Sequence, residues 1–330
     1  MQEFNPKQYL AISIANHFGK DKLTWDERIQ WVKDNYDSLE DLINEADAKP
    51  LYLKAVKALR DTDKGIPTGY LMDLDATSSG YQIMSILAND LVGMENTNVI
   101  ENDSDTRMDI YGSIARIMTD MVGEEIPRSL VKKPIMTVGY GSKLQPAILF
   151  GDGTPESEAF YKALYTMLPG AMGVMQVLRN CWDESKIEHT WTLPDKHKVV
   201  LPSTQMVDSK IESDELNQVF TYRHEVMQPH DRGTNIIANI VHSIDGWIAR
   251  EMVRMAHRQG FTCTHIHDSF WFHPMYGNHV RKNYNAILAN LCRSKYFERV
   301  TEEITRVTQV RVSDTQENVE KILEANYSLS

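Results

Sequence analysis

The sequence predicts an α+β fold, with a small antiparallel sheet in mostly helical surroundings. Apolar residues recur at helical spacing over much of the first 60 residues and again over residues 234–259. Short strand patterns occur at residues 69–76, 191–201 and 261–273, and the second of these has the form of a hairpin. Helices combined with a few short strands are typical of the α+β class.

Local signals predict where individual elements begin and end. Thr24 and Glu27 fit a capping box at a helix start, and Pro155 fits the first position of another helix. Gly123 and Gly260 follow periodic segments and predict two helix ends. In chain order, the prediction is helices in residues 1–60, a strand at 69–76, a helix at 79–91, a helix at 103–122, a helix from 155, a hairpin of 191–193 with 198–201, a helix at 234–259, a strand pair within 261–273 and helices to the end.

The composition is typical of a globular protein. Of the 330 residues, 42% are hydrophobic and 25% are charged. No apolar run approaches the roughly 18 residues that suggest a membrane span, and the N-terminus lacks a signal-peptide pattern. Cys181, Cys263 and Cys292 lie far apart, which predicts reduced thiols in a cytosolic compartment and neither a zinc site nor a disulfide framework.

Two carboxylates, Asp75 and Asp268, stand at the ends of predicted strands, where small or turn-forming residues follow. A lone Asp in such a place is usually only a turn residue. Two carboxylates from separate strands, however, can hold a pair of hard divalent cations. Such a pair stabilises both the attacking and the leaving oxygen of a phosphoryl transfer. The two aspartates are therefore candidate metal ligands.

A basic segment, residues 128–133, lies between the two aspartates, ahead of the turn Gly-Tyr140-Gly-Ser. Arg128 and Lys132 are four residues apart, so a helix would place both on one face. Cations on one face suit the phosphates of a nucleoside triphosphate, although a solvated helix face is the commoner role of such a run. Pro134 would kink a helix that has already begun, which leaves the direction of Arg128 open.

Three motifs carry a resemblance to a known family: Asp75-Ala-Thr-Ser-Ser-Gly-Tyr-Gln, Arg128-x3-Lys132-x7-Tyr140-Gly-Ser and His267-Asp268-Ser. Further matches follow in the same order, namely residues 15–22, Asp109-Ile-Tyr111-Gly, Val-His242-Ser-Ile-Asp245-Gly and the last nine residues. The sequence resembles the bacteriophage-type single-subunit RNA polymerases, which include the mitochondrial enzyme. The resemblance covers nearly the whole chain, but only the C-terminal part of a typical member.

The resemblance implies a right-hand polymerase architecture. Residues 1–95 and 241–330 would form a palm with a small antiparallel sheet, and residues 96–240 an inserted, mostly helical fingers region. The thumb and the N-terminal promoter domain of typical members have no counterpart in the sequence. The loop that matches the family's promoter-reading hairpin is expected to shrink to about residues 180–189.

The resemblance also implies the roles of individual residues. Asp75 and Asp268, with the backbone carbonyl of Ala76, would bind two Mg²⁺ ions. The nucleotide site would include Arg128, Lys132, Tyr111, Tyr140 and His242, with Lys132 counted among the catalytic residues. Tyr140 and His242 would select ribonucleotides through the 2′-hydroxyl, a group that can both donate and accept hydrogen bonds.

The implied function is that of the catalytic subunit of a phage DNA-directed RNA polymerase, in the cytoplasm of a bacterial host and without membrane contact. It would use a DNA template and nucleoside triphosphates to make RNA. A second polypeptide would supply the thumb in a heterodimer, and a single-stranded-DNA-binding protein is a further expected recruiter. The net charge of −11 predicts weak intrinsic affinity for DNA, because backbone binding depends on Lys and Arg.

Two alternatives stay open on the sequence alone. His265 and His267, as His-Ile-His on a strand, are similar to the ligand pair of a metal-dependent hydrolase. That interpretation needs further His and acidic ligands, and the remaining histidines form no obvious set. The other alternative is a catalytically inactive, polymerase-like scaffold subunit. The presence of Asp75, Asp268 and Lys132 argues against it.

Overall fold

The computed structural model describes residues 1–104, 106–230, 233 and 235–330. Within these residues the strands form small antiparallel sheets, and the mixture with helices agrees with the predicted α+β class. The strands are β1 (Met72–Asp75), β2 (Glu188–Thr192), β3 (Lys198–Pro202), β4 (Thr204–Ser213), β5 (Gln218–Met227), β6 (Cys263–Ile266) and β7 (Ser269–Phe272).

Helices make up most of the remaining described structure. They are α1 (Pro6–Ala15), α2 (Trp25–Asp34), α3 (Lys49–Asp63), α4 (Ser79–Ala88), α5 (Leu91–Asn96), α6 (Ile110–Val122), α7 (Arg128–Gly139), α8 (Leu144–Phe150), α9 (Pro155–Met167), α10 (Pro169–Asn180), α11 (Asn235–Arg258), α12 (Gly277–Arg293), α13 (Tyr296–Thr305) and α14 (Gln316–Glu324). Position 234, the expected first residue of the long helix, lies outside the described residues. Throughout the described ranges, no helix has the length and apolar character needed to cross a membrane.

The capping signals in the sequence are confirmed. Thr24 accepts a hydrogen bond from the Glu27 N–H, and the Glu27 carboxylate accepts one from the Thr24 N–H at 2.8 Å. These two bonds satisfy donors that the first turn of α2 would otherwise leave unpaired. The Thr154 hydroxyl likewise accepts from the Ser157 N–H at 3.2 Å, at the start of α9.

Two predicted helix boundaries are wrong, and local side-chain bonds explain one of them. Helix α6 begins at Ile110 and not near residue 103, because the side-chain amide of Asn98 bonds both the N–H and the carbonyl of Met108 and holds this segment non-helical. The predicted helix over 79–91 ends at Ala88, where Asn89 adopts a left-handed conformation with φ of 53°. A separate short helix, α5, follows.

The central sheet has the strand order β1-β7-β6 and joins a strand of the first third of the chain to two strands of the last third. In β1, Met72 and Leu74 are buried, whereas Asp73 and Asp75 lie on the opposite, more accessible face. Asp75 pairs with Ser269, the first residue of β7. The β6–β7 turn contains Asp268 and therefore lies at the same end of the sheet as Asp75. The predicted strand pair around Asp268 and the hairpin of β2 with β3 are both confirmed.

A long hairpin that the sequence analysis missed extends from residue 204 to residue 227. Strands β4 and β5 pair along ten residues each, from Thr204 opposite Met227 to Ser213 opposite Gln218. Most of its side chains are exposed, including apolar ones such as Ile211 and Val219 at 55% and 56%. In residues 180–189, α10 ends and β2 begins. The sequence predicts only a short loop at residues 180–189 in this region, but the structure also has the long β4–β5 hairpin.

The last residues of the chain return to the central sheet. Leu329 forms a β-bridge with Ala76, and the Ser330 N–H donates to the Asp75 carbonyl at 2.9 Å. The Tyr327 ring stacks on Trp25 at 5.4 Å, which holds this segment against α2. The C-terminal residue therefore lies beside the strand end that carries the first candidate metal ligand.

Candidate active site

The two candidate metal carboxylates lie at adjoining strand ends. The Ala76 N–H donates to the main-chain carbonyl of Asp268 at 3.1 Å, so the residue after β1 is fixed to the β6–β7 turn. His267 in that turn has φ of 54°, a left-handed conformation that reverses the chain directly before Asp268. This pairing brings Asp75 and Asp268 together from positions 193 apart in sequence, the difference between their residue numbers.

Burial raises the pKa of Asp75, and the negative charges of Asp73 and Asp268 raise it further, against a hydrogen bond from Ser269 that lowers it. Carboxylates that repel one another at a strand end favour a bound cation, because its charge offsets their repulsion. The Ala76 carbonyl accepts from the Ser78 N–H at 3.0 Å and keeps a second lone pair for another partner.

Two carboxylates and a carbonyl fit Mg²⁺, which binds proteins through one or two carboxylates and fills its remaining positions with water and substrate phosphates. Across residues 1–104, 106–230, 233 and 235–330, no group of three or more His, Cys, Asp or Glu side chains has a metal-binding arrangement. Asp75 and Asp268 would therefore hold such an ion together with the Ala76 carbonyl and with non-protein oxygens.

Helix α7 places Arg128 and Lys132 on one side, as their spacing predicts. The Arg128 guanidinium lies 5.3 Å and the Lys132 Nζ 6.0 Å from the centre of the Tyr111 ring. Pro134 lies inside the helix and so interrupts its hydrogen bonding without diverting Arg128 from this side.

Arg128 already has a partner in the structure. Its Nε and Nη2 donate to the two Asp109 carboxylate oxygens at 2.6 and 3.0 Å, in a paired arrangement that raises the Arg128 pKa. Lys132, by contrast, is exposed to the cavity described below. Arg128 is therefore largely neutralised by Asp109, whereas the Lys132 ammonium is open to an anion.

Tyr140 and His242 meet edge to face, with ring centres 4.5 Å apart. Tyr140 follows α7, and His242 lies on α11. Burial raises the pKa of Tyr140, so its hydroxyl stays protonated at neutral pH, and burial with the nearby His267 lowers the pKa of His242. A Cβ on Gly139 would lie 3.1 Å from Tyr81, so glycine permits the close packing of α7 on Tyr81 just before Tyr140.

A cavity of about 380 Å³ joins these elements. Every predicted site residue except His242 lines it: Asp75, Ala76, Asp268, Tyr111, Arg128, Lys132 and Tyr140. His242 does not line the cavity, but its ring packs against the ring of Tyr140, which does. This volume lies within the range of small-molecule sites, roughly 300–1,000 Å³.

The cavity also contains residues to which the sequence analysis gave no role. Asp21 and Lys22 belong to the matching stretch at residues 15–22, and Asp109 to the matching stretch before Tyr111, so their motifs were a usable signal. Ser330 likewise belongs to the matching last nine residues, whereas Arg107 lies in none of the matching stretches. Asp245 lies outside the lining, but burial and the charge of Asp268 raise its pKa to about 6.

His265 and His267, the pair behind the hydrolase alternative, are exposed at the β6–β7 turn. The His265 Nδ1 lies 3.1 Å from the main-chain oxygen of His267. No further His, Cys, Asp or Glu side chain from the described ranges completes a metal group with them. The described structure therefore offers nothing that supports a histidine-ligated metal centre.

Comparison with known proteins identifies the family. The family model for DNA-dependent RNA polymerase matches residues 5–149 and 158–328. The chain therefore belongs to this family, the phage-type single-subunit RNA polymerases.

Named relatives include polymerases from phages, fungi and plants. The DNA-directed RNA polymerase of Pseudomonas phage phiKMV is 23% identical over 299 residues, covering 72% of this chain and 36% of that protein. The mitochondrial DNA-directed RNA polymerase 1B of Nicotiana tabacum is 23% identical over 331 residues, covering 81% and 32%. A probable DNA-directed RNA polymerase of Neurospora crassa is 29% identical over 154 residues, covering 40% and 17%. The chain thus spans about a third or less of these relatives.

Proposed function

We propose that this chain carries the catalytic centre of a DNA-directed RNA polymerase and extends an RNA 3′ end with nucleoside triphosphates. The observation that carries the proposal is the position of Asp75 and Asp268 at adjoining strand ends in a cavity that also contains Lys132. Membership of the RNA polymerase family supports the same reaction class. An inactive scaffold would not need these three groups in one cavity.

Asp75, Asp268 and the Ala76 carbonyl are the residues that would hold two Mg²⁺ ions. When bound, the ions would stabilise the negative charge on the attacking and leaving oxygens. Lys132 would bind a phosphate of the incoming nucleotide as a compact point charge. Tyr111 would pack beside Lys132 and limit the directions available to its side chain.

The Tyr140 hydroxyl and the His242 ring would sense the sugar of the incoming nucleotide. Tyr140 lines the cavity, and its protonated hydroxyl is a hydrogen-bond donor. A ribose 2′-hydroxyl can accept this bond, whereas a deoxyribose offers no partner there. This arrangement would favour ribonucleotides by the free energy of about one hydrogen bond.

In the proposed architecture, residues 1–95 and 241–330 form the palm and residues 96–240 the fingers. The pairing of β1 with β7 supports this division, since it joins the first and last thirds of the chain in one sheet. The basic helix α7 and the exposed β4–β5 hairpin both belong to the proposed fingers region.

We further propose that full activity needs a second polypeptide. The net charge of −11 supports this proposal, because it disfavours tight DNA binding by this chain alone. A single-stranded-DNA-binding recruiter is the other expected partner, because the loop at residues 180–189 is expected to be too short to read duplex promoter bases. The long β4–β5 hairpin, which follows in the chain, argues against that reason.

Templated primer extension tests the proposed function. The chain, alone and with its genomic neighbour, is given an RNA primer on a DNA template with Mg²⁺ and one nucleotide at a time. We expect addition only of the nucleotide complementary to the next template base. Addition that ignores the template, or none with either preparation, would contradict the proposal. Zinc-dependent hydrolysis lost in His265→Ala and His267→Ala would support the hydrolase alternative.

A further inference from the structure

Arg107 is a cation inside the candidate active site for which the reaction described above has no role. It lines the cavity with Asp75, Asp268 and Lys132. It lies in the non-helical segment before α6, three residues from Ile110, where the sequence pattern predicted a helix. Its position therefore depends on the Asn98 bonds that keep the segment around Met108 extended.

One residue connects Arg107 to the candidate metal ligand. The Arg107 Nε donates to the Ser330 Oγ at 2.8 Å, and the Ser330 N–H donates to the main-chain carbonyl of Asp75 at 2.9 Å. The guanidinium is thus held at a fixed place beside the end of β1. Such fixing lowers the entropy that the side chain would lose when a ligand binds.

Arg107 also differs from Arg128 in its pairing. Two nitrogens of Arg128 are bound to Asp109, whereas neither terminal nitrogen of Arg107 has a partner among the described residues. Burial lowers the pKa of Arg107, and the charge of Arg128 adds to this effect, against Asp21, Asp109 and Asp75. Because arginine stays protonated in proteins, the result is a partly desolvated cation with a free donor pair.

We propose that Arg107 is a substrate-contacting residue that binds an oxygen of the β- or γ-phosphate of the incoming nucleoside triphosphate through its two terminal nitrogens. The inference rests on the proposed function and adds a residue to it. A guanidinium fork matches phosphate geometry. The cavity of about 380 Å³ suits a single nucleotide and not a duplex, which favours the triphosphate over the nucleic-acid backbone as the ligand.

The test uses the full chain, with its partner polypeptide where extension requires it, on a DNA template. The RNA primer ends in a 3′-deoxynucleotide, so that binding is measured without reaction. The probes are templated adenosine triphosphate and adenosine monophosphate, and the variants are Arg107→Gln, Arg107→Lys and Ser330→Ala. Arg116→Gln is the matched control, since Arg116 is an exposed arginine of α6 outside the cavity.

We expect Arg107→Gln to raise the Kd for the triphosphate about tenfold or more, the usual effect of losing a hydrogen bond to a charged group. Its Kd for the monophosphate should stay within about twofold of wild type, as should both values for Arg116→Gln. Arg107→Lys should be intermediate because it keeps the charge and loses the fork. Ser330→Ala should weaken triphosphate binding less than Arg107→Gln, because it removes only the tether.

If Arg107→Gln weakens the binding of both probes equally, Arg107 supports the structure of the site and does not contact the phosphate. If it leaves triphosphate binding unchanged, Arg107 does not contact the triphosphate. Either result overturns the inference while leaving the proposed function intact, provided that wild type extends a normal primer. If wild type neither extends the primer nor binds the templated triphosphate, the proposed function and this inference fail together.

Discussion

The ring of Tyr140 meets the ring of His242 edge-on at 4.5 Å, which joins the end of the basic helix α7 to the long helix α11. The contact holds the Tyr140 hydroxyl at the edge of the cavity that contains Asp75 and Asp268. A side chain fixed from two helices is suited to discriminate between closely related substrates.

Tyr140→Phe should raise the use of deoxynucleotides relative to ribonucleotides several-fold. The lost hydroxyl bond contributes about 1 kcal/mol, which sets the size of this shift. The measurement is the ratio of kcat/KM for a ribonucleotide and its deoxy counterpart in primer extension. Tyr165→Phe is the control, because Tyr165 is an exposed tyrosine of α9. Unchanged sugar discrimination in Tyr140→Phe would remove the proposed role of its hydroxyl.

Lys132→Ala should raise KM for all four ribonucleotides by a similar factor and leave sugar discrimination unchanged. Phosphates are common to every substrate and carry no information about the sugar or base. Lys133→Ala provides a control on the next position of α7, since Lys133 is exposed but does not line the cavity. Equal effects of the two substitutions would indicate that general positive charge, and not a specific phosphate contact, explains the result.

Asp245 predicts a pH dependence of stability. Its pKa is raised from 3.8 to about 6, so between these values the folded protein binds more protons than the unfolded chain. Its contribution to stability is therefore complete below about pH 4 and is lost as the pH rises towards 6. Asp245→Asn cannot ionise and should gain stability relative to wild type across this window, by up to about 3 kcal/mol.

Denaturant unfolding of both proteins at pH 4.5, 5.5 and 7, in buffer with a chelator, measures this difference. If the pKa of Asp245 is raised in the folded state, the difference in free energy of unfolding between Asp245→Asn and wild type grows with pH. A difference that stays constant would show that Asp245 has the same pKa in the folded and unfolded states.

The sequence predicted the elements whose signals are local. The Thr24–Glu27 capping box depends on four consecutive residues, and the alternation of Met72 and Leu74 with Asp73 and Asp75 reports one buried face directly. The motifs around Asp75, Asp268 and Lys132 indicated one site, and the cavity contains all three residues.

The missed features have no such local signal. The β4–β5 hairpin exposes most side chains on both faces, so its residues lack the alternation that identifies a half-buried strand. Helix α6 begins at Ile110 because the Asn98 side chain bonds the main chain of Met108 in place of a helical partner. The spacing of apolar residues gives no information about such a side-chain bond. The contact of Arg107 with Ser330 joins residues 223 positions apart, and nothing in the sequence indicates that the C-terminal residue returns to β1.

The most direct test of the central claim is the single-turnover rate of one templated nucleotide addition in Mg²⁺. If Asp75 and Asp268 hold the metal ions, Asp75→Asn and Asp268→Asn should each lower this rate by at least about a thousandfold, since metal ions supply several kcal/mol of transition-state stabilisation. Asp37→Asn, at an exposed position outside the cavity, should keep the wild-type rate, and all three should keep the wild-type circular dichroism spectrum. Near-wild-type addition by both Asp75→Asn and Asp268→Asn would contradict the assignment of the active site.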